Sequence, residues 1–171
     1  MSDQVEDYIE YIRIERNYSD LTEKNYLIDL EKFEDYLCKN RLNYKSLTYK
    51  DISKYIAYLK ENLKLKSASI NRHLSSLRSF YTFLLNKEVI TSNPFKLVNG
   101  PKQGKKLPNY MKYSEFEVMI NSCDDTPLGI RNQALLELLL ATGARIGELI
   151  NISVYDIDFS NREIKVLGKG N

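Results

Sequence analysis

At 171 residues the chain has room for one large domain or two small ones, and a 43% hydrophobic fraction is enough to build packed cores. No run approaches the ~20 consecutive apolar residues of a membrane helix, and the acidic, amphipathic start over residues 1–10 is neither a signal nor a transit peptide, so a cytoplasmic protein with no membrane partner is expected. The net charge of +2 is unevenly spread: residues 1–38 hold 4 Lys/Arg against 11 Asp/Glu, whereas residues 39–78 hold 10 against 2.

The first hundred residues read as helices. Ser2 is a candidate cap for a helix with Val5, Tyr8, Ile9 and Ile12 on one face, a 3.6-residue period. Asn17-Tyr18-Ser19-Asp20 breaks it, and Thr22 caps a second helix whose stripe is Tyr26, Leu30, Phe33 and Leu37. Thr48 with Asp51 three residues on predicts a capping box for a third, with Ile52, Tyr55, Ile56 and Leu59 inside. Ser67 opens a fourth, with Ile70, Leu74, Leu77, Tyr81 and Leu84. Four amphipathic helices with short polar connections predict a small helical bundle.

Asn93-Pro94 ends this region, and the Gly-, Pro- and Lys-rich residues 99–109 read as a linker between domains at 1–98 and 110–171. Beyond it, Ser114 and Glu117 predict a capping box, Pro127 and Gly129 a break, and ALLELLLA over 134–141 a buried helix ended by Gly143 in a left-handed cap. A short helix over 145–151 follows. The period then becomes strand-like: residues 154–159 and 163–167 flank Ser160-Asn161-Arg162 as a hairpin. The Gly168-Lys169-Gly170 turn asks for a partner strand that the sequence does not go on to supply, so the chain reads as cut inside a domain. Cys38 and Cys123 are far apart in helix-like segments and read as small core residues, with neither a disulfide framework nor a metal site.

The polar side of the fourth helix is unusual. Opposite its apolar stripe lie Asn71, Arg72, Ser75, Ser76, Arg78, Ser79 and Thr82, without an acid. Small hydroxyl and amide residues let a helix approach a groove, and arginine forks to phosphate or guanine. Lys64 and Lys66 just before the helix, and Lys45 and Lys50 near the third, add positive charge. Nucleic acid fits this basic middle; a plain solvated, lysine-rich face fits the charge alone equally well. His73, at the edge of the stripe, reads as a packing residue. The thirteen tyrosines fall largely at stripe positions, and none stands out as a nucleophile.

In ATGARIGEL, Arg145 follows a helix cap, and Glu148 lies three residues on, on the same side of the next turn. Downstream, a hairpin ends in LGKGN. Together these boxes resemble the tyrosine recombinases of the phage-integrase and Xer type, and the resemblance extends over essentially all 171 residues. SDLTEKNYLIDLEKF over 19–33 and SINRHLSSLRSFYTFL over 69–84 are similar to the family's early helical segment and its DNA-binding helix.

The resemblance implies a mainly α chain: a SAM-like four-helix core-binding bundle, followed by part of an α+β catalytic domain. It implies a phosphotyrosine strand-transfer chemistry that needs no metal and no nucleotide cofactor, acting on double-stranded DNA among other recombinase protomers, four at synapsis. Arg145 would stabilise charge on the phosphate, Glu148 would hold it, and Lys169 would protonate the leaving oxygen. The family's later histidine, second arginine and tyrosine nucleophile have no matching positions, so this polypeptide alone is expected neither to cleave nor to join DNA. A non-enzymatic helical protein-interaction module and a truncated DNA-binding regulator are the alternative readings.

Overall fold

The computed structural model describes every residue except 103, 105, 106 and 169–171, and at position 2 the backbone alone. The chain forms two compact units, Met1–Lys105 and Lys106–Asn171. It is mainly helical, with one two-stranded antiparallel sheet among the described residues.

Unit 1 is built from α1 (Ser2–Ile14), α2 (Asp20–Asn40), α3 (Tyr49–Glu61) and α4 (Ser67–Asn86), with a 3₁₀ turn over Tyr44–Ser46. The stripes Val5/Tyr8/Ile9/Ile12, Leu30/Phe33/Leu37, Ile52/Tyr55/Leu59 and Ile70/Leu74/Leu77/Tyr81/Leu84 all face one core, with Tyr26 and Ile56 at its margin. Nine of the twenty residues of α4 are buried, too wide an arc for a surface helix, which makes α4 the centre of the bundle. Aromatic edges fill the core: Phe33 meets Tyr55 and Phe95 at ring separations of 4.9 and 5.7 Å, and Tyr8 meets Phe80 at 5.3 Å.

After α4 the chain returns across the bundle and buries Ile90, Phe95 and Val98. Asn71 Nδ2 donates to Pro101 O at 3.1 Å, so the first residues of the segment read as linker remain tied to α4.

Three helices start before their expected caps. Met1, Ser19 and Lys66 hold the N-cap positions of α1, α2 and α4. Thr22 instead sits in the first turn of α2, its hydroxyl 3.0 Å from that of Ser19. The Thr48–Asp51 capping box forms as expected, Thr48 N donating to Asp51 Oδ2 at 3.0 Å and Asp51 N to Thr48 Oγ1 at 3.3 Å.

Unit 2 contains α5 (Tyr113–Asn121), α6 (Pro127–Thr142), α7 (Ile146–Leu149), a 3₁₀ turn over Val154–Asp156, and strands β1 (Ile157–Asp158) and β2 (Glu163–Ile164). The hairpin is present with Ile157 opposite Ile164, but it is shorter than the alternation suggested. The Ser114–Glu117 box is replaced by Glu115, whose carboxylate accepts from Lys112 N at 2.8 Å. Pro127 does not break the chain. It takes the first helical position of α6, where a missing N–H costs nothing, and Thr126 Oγ1 accepts from Gly129 N at 3.1 Å.

Two burial expectations are corrected. ALLELLLA is helical but not buried, with Leu140 51% exposed, because α5 and α7 touch α6 without covering it. Cys38 is exposed and Cys123 half-buried, so neither is a core residue.

Candidate nucleic-acid interface

The polar side of α4 is more heavily committed than its sequence suggests. Asp29 of α2 is fully buried, and Arg72 forks onto it, Nη1 to Oδ2 at 2.6 Å and Nη2 to Oδ1 at 2.9 Å. Arg72 Nη1 also donates to Asn25 O at 3.2 Å. Ser76, placed on the exposed face by sequence, is instead fully buried, its hydroxyl reaching Asp29 Oδ2 at 3.2 Å and His73 O at 2.8 Å. Ser76 is therefore withdrawn from the interface. It lies on the flank of α4 that turns toward α2, and the partner that draws it inward is 47 residues away in sequence.

His73 is buried, in keeping with a packing role. Its Nε2 bonds the Tyr55 hydroxyl, while its Nδ1 lies 2.9 Å from Asp29 Oδ1. Burial pushes the phenols of Tyr8, Tyr55 and Tyr81 well above the ordinary tyrosine range, so these three stay protonated and are poor nucleophiles.

Arg78 is held differently. Its Nε donates to Phe95 O at 3.2 Å and its Nη2 to Val98 O at 2.9 Å. Asn93 Nδ2 closes the arrangement on Arg78 O and Thr82 Oγ1, each at 3.1 Å. Arg78 thus anchors the returning segment through neutral carbonyls and keeps its charge, whereas Arg72 is neutralised by a carboxylate.

Ser75 is exposed, with its hydroxyl donated to Asn71 O at 3.0 Å; Ser79 and Asn71 are half-buried. Lys45, Lys50, Lys64 and Lys66 are all exposed, Lys66 at the N-cap of α4 and Lys64 at φ +50° just before it. Sequence reasoning missed Asp29. The available signal was an acid inside the apolar stripe of α2, between Tyr26 and Phe33. It also missed Arg16, which lines a groove beside Arg78 and Ser79.

In unit 2 a tight corner positions Arg145. Gly143 caps α6 at φ +63°, and Thr142 Oγ1 accepts from Ala144 N at 3.2 Å while donating to Leu138 O at 2.6 Å. Arg145 then takes the N-cap of α7 in extended backbone. One carboxylate holds it at two points: Glu148 Oε2 accepts from Arg145 N at 2.8 Å, and Oε1 accepts from Nη1 at 2.7 Å. These bonds hold the Glu148 carboxyl below the usual glutamate range. The Arg145 side chain is 78% exposed, so most of its donors face outward.

Glu148, Asp156, Lys165 and Leu167 line a cavity of about 220 Å³ between α7 and the hairpin. Lys169, the expected general acid, lies outside the described residues. Among the described residues no cluster of three metal-ligating side chains occurs, and no helix is long and apolar enough to cross a membrane.

Residues 5–88 match the phage integrase N-terminal SAM-like domain, and residues 109–171 match the phage integrase family. The tyrosine recombinase XerC of Staphylococcus epidermidis is 39% identical over 167 residues, covering 97% of this chain and 56% of that protein. XerC of Bacillus subtilis is 39% identical over 165 residues, covering 95% and 54%. The chain therefore spans about half the length of the curated relatives it matches.

Among solved structures, the XerH site-specific recombinase bound to a palindromic difH substrate aligns with a TM-score of 0.72 at 21% identity, over 99% of this chain and 51% of that one. A lambda integrase dimer bound to a COC′ core site aligns at 0.67 and 18%, over 98% and 48%. At such identities the likeness shows the fold.

Proposed function

The chain belongs to the phage integrase family, and from that premise we propose that it is the DNA-binding portion of a site-specific tyrosine recombinase. Unit 1 engages duplex DNA through the basic surface around α3 and α4, and unit 2 offers Arg145 to a backbone phosphodiester. The observation that carries this reading is the Arg145 corner: an exposed guanidinium held from one side by Glu148, with its remaining donors turned outward. Phosphoryl transfer builds negative charge on non-bridging oxygens, and a planar, permanently charged group can bind two of them. Glu148 orients that group and does not itself touch the phosphate.

Lys169 is assigned the role of general acid by its match to the family's hairpin lysine. The protein partners are further recombinase protomers on the same DNA, in keeping with the lambda integrase dimer on its core site.

Fluorescence anisotropy with a labelled duplex tests the reading. Binding is expected at low salt, with log K falling against log salt by about 0.9 for each phosphate neutralised. Failure to bind duplex at low salt, or an affinity indifferent to salt, would remove the DNA-binding assignment.

A further inference from the structure

Two grooves flank the end of α1, and they carry opposite charge. One, of about 510 Å³, is lined by Asp7, Glu10 and Glu15 with a single cation, Lys87. The other, of about 360 Å³, is lined by Arg16, Arg78, Ser79, Thr82 and Asn86 and contains no acid. Tyr11 and Phe83, their rings 5.1 Å apart, line both grooves and stand as a ridge between them.

Resting on the DNA-binding reading above, we infer that the Arg16 groove seats a backbone phosphate of duplex DNA, and that the Tyr11–Phe83 ridge marks the edge of the DNA footprint on unit 1. Three observations carry this. Arg16 makes no ion pair among the described residues, whereas Arg13, on the same turn, lies 3.6 Å from Glu23. Its backbone is fixed: Arg16 N donates to Tyr11 O at 3.3 Å and Tyr18 N to Ile12 O at 3.0 Å, with Asn17 between them at φ +49°. The second guanidinium, Arg78, is pinned by neutral carbonyls, so its charge is not cancelled.

Two uncompensated guanidinium groups beside the Asn86 amide are a donor set suited to phosphate oxygens. Beyond the ridge, the carboxylates of Asp7, Glu10 and Glu15 repel a polyanion, so a duplex seated in the Arg16 groove cannot continue across the acidic one. The site recognises backbone and not base sequence.

The test uses the full chain and labelled duplexes of two unrelated sequences. Arg16→Ala is expected to weaken binding about equally on both and to lower the salt slope by about one. Arg13→Ala should leave affinity and slope unchanged, and Glu10→Gln with Glu15→Gln should tighten binding at low salt. Thermal melting of the Arg16→Ala protein checks that this exposed substitution leaves the fold intact. If the unsubstituted chain binds with the expected salt dependence and Arg16→Ala matches it in affinity and slope, the groove is not a phosphate seat. A loss confined to one of the two sequences would equally overturn the inference, since it would report base contact. If the unsubstituted chain fails to bind either duplex, the DNA-binding reading falls and this inference with it.

Discussion

Asp29 is a fully buried carboxylate, and it persists because Arg72 forks onto both of its oxygens while Ser76 supplies a further donor. Removing one partner of such a pair leaves an uncompensated charge, and the cost depends on which charge remains buried. Arg72 is 41% exposed and Asp29 is not. Arg72→Ala should therefore cost roughly 3 kcal/mol or more in urea unfolding, and Asp29→Asn clearly less, because the arginine left behind can reach water. Equal losses from the two substitutions would show that Asp29 does not depend on this pairing. A binding defect in Arg72→Ala would thus report lost folding before lost DNA contact. The helical wheel put Arg72 and Ser76 on a polar face but could not show what that face meets, because the partner lies on another helix more than forty residues upstream. Arg145 and Glu148 were legible because the ion pair is local, three residues apart on one turn. Since the Glu148 carboxyl is held below its ordinary range, its hold on the corner is complete above the ordinary glutamate pKa of about 4.3 and is lost as pH falls through the lowered value. A carboxyl titration of Glu148 followed by NMR should show this shift, and Arg145→Ala should move the midpoint back up.

The same contrast between local and distant causes decides which features of the elements could be foreseen. The Thr48–Asp51 box was readable because both halves lie within four residues and nothing competes with them. At α5, by contrast, Glu115 and Glu117 are both available as capping acids, and Glu115 with the backbone of Lys112 wins the register. Gly143 was readable as a left-handed cap because the apolar run stops there, and its φ of +63° bears that out. A Cβ at Gly143 would meet nothing within 4 Å, so Gly143→Ala isolates the backbone term and should destabilise by about 1 kcal/mol. Gly147 lies within α7, also in open space and without a positive φ, so Gly147→Ala should be neutral or stabilising by about 0.5 kcal/mol. Thermal melts of the two variants, shifting in opposite directions or with Gly147→Ala flat, check the assignment; a stabilising Gly143→Ala would refute the cap. The apolarity of α6 was equally legible, but its burial was not, because an apolar sequence shows that a cover is wanted and not which segment supplies it.

At the scale of the whole chain, the two units differ sharply in how much core they hold. Unit 1 gathers 21 buried hydrophobic residues into one cluster, whereas in unit 2 the buried large apolar side chains among the described residues are Phe116 and Leu149. Leu128, Ile130, Leu140, Ile146, Ile150, Val154 and Phe159 each remain more than half exposed. Burial of apolar area is the main favourable term in folding, at about 25 cal/mol per Å², and it must offset roughly 1–2 kcal/mol of backbone entropy for each ordered residue. A unit with so few buried side chains has little to set against that entropy, so its helices should open at low free energy while those of unit 1 open only with global unfolding. Hydrogen exchange followed by mass spectrometry should show fast exchange over α5, α6 and α7 and slow exchange over α4. Urea should unfold the chain in two steps, the first belonging to unit 2, and the exposed apolar side chains should bind a hydrophobic dye before that step. Exchange protection of α6 equal to that of α4 would mean that a cover forms over ALLELLLA in solution, for example between two copies of the chain. That outcome would be recognised by a protection that rises with protein concentration.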